Sequence, residues 1–191
     1  ISKLSFLNYL RFTDEEGVTG TSDEIYNLPK LEYLTIQNTG ITKISHKINN
    51  LKNLIDLSIS SEVEIELPDL SGLTSLISFS AKNIKSMEPI CGIKSLKTLG
   101  IYYEDNLSIP QNIGNLSNLE DLHITNSKII GEIPSSIGEL KNLRVLNLSF
   151  NTLDCTLPAE IGQLTELEFL NIYGSSFHGE LPSELGNLVN L

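Results

Sequence analysis

One spacing governs this chain. In GEIPSSIGELKNLRVLNLSFN, Gly131 to Asn151, leucines fall at 140, 143, 146 and 148, and the apolar pattern then stops on an asparagine. A helix places apolar residues three and four apart and a strand every second residue, so neither period covers the whole stretch. The same ladder returns at Leu164, Leu167, Leu170 and Ile172, and upstream at Leu116, Leu119, Leu122 and Ile124, a period of 24 residues. Followed to the N-terminus, it gives eight units starting near residues 4, 28, 51, 73, 93, 116, 140 and 164, with a partial ninth from 188. A fixed period of this size marks a stack of like coils, each burying its apolar side on the next.

The ladder has a physical reading. In LRVLNLSFN, Leu146 and Leu148 alternate inward from a short strand, while Val145, Asn147 and Ser149 point outward. Strands of successive units pair in parallel, and the chain then turns beneath them. That turn buries backbone groups which no ladder satisfies, and an inward Asn amide both donates to and accepts from them. At the place of Asn151 other units carry Thr39, Ser127 and Ser175, which supply part of this bonding, but also Glu15, Glu62, Ile84 and Glu104, which are poorly suited to it. Those turns are expected to be looser or shifted by one residue, with Asn83 the substitute in the fourth unit. On the return path, Ile133, Pro134, Ile137 and Gly138 predict an extended piece, a turn of tight helix and a sharp glycine exit.

The recurring LxxLxxLxLxxN resembles the leucine-rich repeat signature, and it runs from end to end as a single domain, residues 1–191. IIGEIPSSIGEL at Ile129 to Leu140 and SFHGELPSELGNL at Ser176 to Leu188 further resemble the plant-specific LxGxIP subtype, whereas Leu73 to Gly92 is closer to short bacterial surface repeats. The resemblance implies an α/β-class fold: a right-handed solenoid with a concave parallel β-sheet and a convex side of short 3-10 or helical turns and loops. It also implies a non-enzymatic recognition module that binds a protein, peptide or glycan on the concave face, as receptor ectodomains and secreted inhibitors do, at the cell surface or outside the cell. A second reading is a bacterial surface lipoprotein or accessory subunit using the solenoid as a static part of an assembly. Leu188 to Leu191 stops in mid ladder, and the expectation is a piece of a longer chain.

Composition narrows the function. The 191 residues are 40% hydrophobic with a formal net charge of −11, which opposes a nucleic-acid surface because phosphate binding needs clustered Lys and Arg. No apolar run is long enough to span a bilayer. Cys91 and Cys155 fall in different units, and two free thiols are expected. No Ser or Cys stands beside a His with an orienting carboxylate, and no phosphate loop occurs, so neither catalysis nor a cofactor is expected. Asp121 and His123 share a strand face but lack a third ligand, so no metal is expected. Asn106, Asn115 and Asn147 each open an Asn-Leu-Ser sequon, a possible N-glycosylation site that the repeat grammar also generates by itself.

Function in such a scaffold belongs to the outward strand positions, since the inward ones are committed to packing. Units three and four show serines there, at 58, 60, 61, 78 and 80. Units five to eight show Tyr102, Tyr103, His123, Asn147, Phe150, Phe169 and Tyr173, and these are the candidate partner-binding residues. Aromatic rings give large contact area for few frozen torsions. Strands also favour aromatics for their own sake, and rings cover one another across strands.

Overall fold

The structure, a computed structural model, describes residues 4–13, 17 and 19–191. Glu15, expected at a turn position of the first unit, lies outside the described residues. The chain divides into two compact units, Ile1–Leu96 and Lys97–Leu191.

The first unit holds four parallel strands: β1 (Tyr9–Thr13), β2 (Tyr33–Thr39), β3 (Asp56–Ile65) and β4 (Ser78–Ile84). The second holds β5 (Thr98–Tyr102), β6 (Asp121–Thr125), β7 (Val145–Asn147) and β8 (Phe169–Asn171), also parallel. Ladder residue faces ladder residue: Leu34 pairs with Leu57 and Leu57 with Phe79, while Leu99, Leu122, Leu146 and Leu170 form the corresponding row of the second unit. Leu146 and Leu148 are fully buried, as are Leu34, Leu57, Leu99 and Leu122. Full burial of each such side chain contributes about 1.5–3 kcal/mol, so the rungs are the main source of stability. The expected solenoid of parallel strands and short returns is therefore present in each unit.

The returns are 3-10 turns, and among the described residues there is no α-helix. In the second unit they span Ile113–Asn115, Ser135–Glu139, Ala159–Gln163 and Ser183–Asn187, the last three each entered through an extended proline, Pro134, Pro158 or Pro182. In the first unit serine does this work: the Ser22 and Ser45 hydroxyls accept the N–H groups of Glu24 and Lys47. Gly138 does not serve as a left-handed exit. It lies buried inside its 3-10 turn, and a Cβ there would stand 2.8 Å from the Glu160 carbonyl oxygen. The glycine allows turns of adjacent repeats to touch.

Asn151 performs the role its sequence position predicts. Its Nδ2 donates to the Ile124 and Leu148 carbonyls at 2.6 and 2.7 Å, and its Oδ1 accepts the Ser127 N–H at 3.1 Å. Ser175 donates to the Leu148 carbonyl and accepts the Asn151 N–H. In the third unit the shift by one residue occurs: Ser61 is buried and donates to the Thr39 carbonyl, while Glu62 stays exposed. Thr39 itself contributes little, because its buried hydroxyl oxygen has no hydrogen bond. In the fourth unit Ile84 fills the buried place and Asn83 donates to the Ser61 carbonyl from one residue earlier. Glu104 departs from expectation: it is drawn inside and only 2% exposed, with its N–H on the Ser127 hydroxyl. Ser149 also departs. β7 ends at Asn147, the alternation lapses there, and Ser149 is buried rather than outward.

Candidate functional site

Outward side chains of the second unit stand in rows set by the strand register. One flank carries Thr98, Asp121, Val145 and Phe169; the middle row carries Gly100, His123, Asn147 and Asn171. On the far flank Tyr102 closes β5, while Phe150 and Tyr173 lie beyond the ends of β7 and β8. Phe169 is 48% exposed and Tyr173 71%, although both sit on or beside a strand packed from beneath.

Phe150 and Tyr173 meet edge to face, with ring centroids 5.3 Å apart and planes at 83°. That pair is partly mutual cover, yet Phe150 remains 55% exposed. Tyr102 is half-buried and lies back over its own strand. A Cβ on Gly100 would come within 2.5 Å of the Tyr102 hydroxyl, so the missing side chain makes room for the ring. Burial pushes the Tyr102 hydroxyl pKa up. Tyr103 points elsewhere and is 62% exposed; with Asn126, Phe150 and Thr152 it lines an open groove of about 450 Å3, closed on one side by the Asp105 to Lys128 ion pair at 3.1 Å. The candidates thus fall into two groups, Phe150 with Tyr173 beside the middle row and Tyr103 across the groove, while Phe169 stands on the opposite flank.

Sequence reasoning missed a backbone feature. At the residue just before the buried turn position, Asn38, Asn83, Tyr103, Asn126, Phe150 and Gly174 all have φ between 50° and 67°. Asn and Gly tolerate this left-handed conformation; Tyr and Phe do so at a cost. The recurrence of Asn or Gly at one repeat offset was the available signal, and against it the two aromatics stand out.

Asp121 accepts from the Thr98 hydroxyl at 3.4 Å, and among the described residues no group of three or more His, Cys, Asp or Glu could hold a metal. Asn106 and Asn115 are exposed, whereas Asn147 lies in the middle row of the sheet face.

A family model described as a leucine-rich repeat region matches residues 79–191. The chain belongs to the leucine-rich repeat family. Two relatives, the probable disease resistance proteins RF45 and RDL5 of Arabidopsis thaliana, are each 33% identical over 132 residues, 65% of this chain and 13% of theirs. The chain therefore matches a small segment of much longer proteins. Among solved structures, PEPR1–AtPEP1 superposes with a TM-score of 0.69 at 25% identity, over 89% of this chain and 28% of that one. The ectodomain of the Arabidopsis receptor kinase HAESA, in complex with an N-terminally extended IDA peptide hormone, superposes with a TM-score of 0.58 at 26% identity, over 88% and 26%.

Proposed function

We propose that this leucine-rich repeat segment is a non-enzymatic recognition module that binds a polypeptide on the sheet face of residues 97–191, outside the cell or at its surface. One observation carries the reading: Tyr103, Phe150, Phe169 and Tyr173 stand 48–71% exposed on a packed sheet, two of them on left-handed backbone. Exposed aromatic rings held on strained backbone point to a task beyond packing. The HAESA ectodomain, similar at 26% identity, holds a peptide hormone, which supports a peptide over a glycan. Relatives among plant disease resistance proteins favour recognition over a static part of a bacterial assembly.

The test uses peptides selected from a displayed random dodecapeptide library on the purified protein. Tyr173→Ala and Phe169→Ala are expected to weaken binding of the selected peptides about tenfold each, with little change in melting temperature. A large fall in melting temperature with unchanged binding would assign the rings to packing alone. Exposure at the surface predicts sugar on Asn106 and Asn115 in a eukaryotic secretory host, read as a mass loss on enzymatic deglycosylation.

A further inference from the structure

The middle row of the second unit carries a directional pattern of hydrogen-bonding groups. Asn147 Oδ1 accepts the Ser149 backbone N–H at 3.1 Å and the Ser149 hydroxyl at 2.7 Å, and Asn171 Oδ1 accepts the Tyr173 backbone N–H at 3.0 Å. A backbone N–H only donates, so the atom facing it is the amide oxygen, which fixes each side-chain amide in one of its two orientations. Both NH2 groups are thereby turned away from their own turns. β7 pairs Asn147 with Asn171 on β8, so the two groups sit one strand spacing apart, about 4.8 Å. His123 on β6 lies opposite Asn147 and continues the row, and Gly100 on β5 lies opposite His123.

The row suits one kind of ligand. Asn147 Oδ1 already accepts two hydrogen bonds and Asn171 Oδ1 one, so what the two side chains chiefly offer is their NH2 hydrogens, and they answer a sugar hydroxyl's own O–H poorly. A carboxylate or phosphate would take those hydrogens, yet residues 97–191 carry twelve Asp and Glu against only Lys97, Lys128, Lys141 and Arg144. Three of those cations are held in ion pairs, with Glu120, Asp105 and Glu168, and Lys141 bonds Gln163. Asp121 lies on the flank next to His123 and repels an anion further. A peptide main chain supplies a carbonyl acceptor at every residue and can carry positive charge.

Resting on the recognition reading above, we infer that Asn147 and Asn171 hold the main chain of an extended, basic peptide, donating from Nδ2 to two of its carbonyl oxygens. A cationic side chain of that peptide faces Asp121, and apolar ones lie on Phe169 and on the Phe150 and Tyr173 pair. The internal bonds hold the donors in place before the peptide arrives, which lowers the ordering cost of binding.

The test starts from protein made in bacteria, so that Asn147 carries no sugar, and from dodecapeptides selected as above. The selected peptides are expected to be net positive. Asn147→Asp and Asn171→Asp each keep the oxygen that accepts the backbone N–H, but replace the outward NH2 with a second oxygen and add negative charge. Binding is expected to weaken tenfold or more in each, at an unchanged melting temperature. Charge alone would tighten a basic peptide on these variants, so equal or tighter binding overturns the inference, as do neutral or acidic selected peptides. If either Asp variant fails to fold, Asn147→Ala and Asn171→Ala replace it, with the same loss expected and unchanged binding overturning. A library that yields no binder, or an oligosaccharide array that yields one where peptides do not, defeats the peptide-recognition reading itself. Selected peptides that bind wild type but ignore the Asn substitutions leave that reading standing and sink only the donor row.

Discussion

Tyr103 and Phe150 occupy a backbone conformation that costs a residue with a Cβ about 1–2 kcal/mol, where their counterparts Asn38, Asn83, Asn126 and Gly174 sit with little strain. Tyr103→Asn is therefore expected to raise the free energy of unfolding by about 1 kcal/mol, measured by urea titration, while weakening peptide binding. Phe150→Asn relieves the same strain but loses the ring contact with Tyr173, worth about 0.5–1.5 kcal/mol, so its stability should stay near wild type. Burial pushes the Cys91 thiol up to about 12 from an ordinary value of 9.0. The folded state thus holds that proton more tightly than the unfolded one. Its contribution to stability is complete below about pH 9 and is lost as pH rises through 9 toward 12. Cys91→Ala should flatten the fall of the urea midpoint over that range. At this scale the sequence made the inward leucines and the Asn151 amide plain, because period and chemistry agree there. It hid Glu104, since a carboxylate read alone belongs in water, and it hid which way the Asn147 and Asn171 amides face, which depends on the turn that follows each one.

The repeat is the element of this molecule, and its return path packs as closely as its strand. Gly138→Ala would drive a methyl group into the Glu160 carbonyl oxygen of the next turn, and overpacking of this kind costs about 1–3 kcal/mol. Asn151→Ala would leave the buried Ile124 and Leu148 carbonyls without that donor, a loss of about 1–3 kcal/mol by thermal or chemical unfolding. Unit boundaries were legible because each ladder begins with the same spacing. Strand extent was not. β3 runs ten residues to Ile65, past the expected few, and carries Glu62 and Glu64 exposed on its extension. The alternation of Glu62, Val63, Glu64 and Ile65 carries the strand signal, but Val63 is exposed and only Ile65 is buried, so the extension lies outside the inward ladder that marks each unit.

Across the whole molecule, charge is unevenly shared, and most of the −11 comes from residues 97–191. Association with a basic peptide should then depend on salt. Between about 50 and 500 mM sodium chloride the screening length falls from over 10 Å to under 5 Å, and calorimetric affinity is expected to drop several-fold. Affinity that does not move with salt would limit the peptide to apolar and main-chain contacts. The family was legible at this scale from the repeat alone. Exposed aromatics suggested the face we propose for binding, and the row of Asn side chains proposed as its donors became visible only once strand register placed Asn147 beside Asn171.

Each compact unit encloses one unpaired sulfur, Cys91 in residues 1–96 and Cys155 in residues 97–191. Both are shielded from solvent, and burial raises both thiol pKa values, so an alkylating reagent meets neither until its own surroundings come apart. The molecule thereby contains two internal clocks. Mass spectrometry of a timed alkylation would read, from which cysteine is tagged first, the end from which the coil begins to unwind.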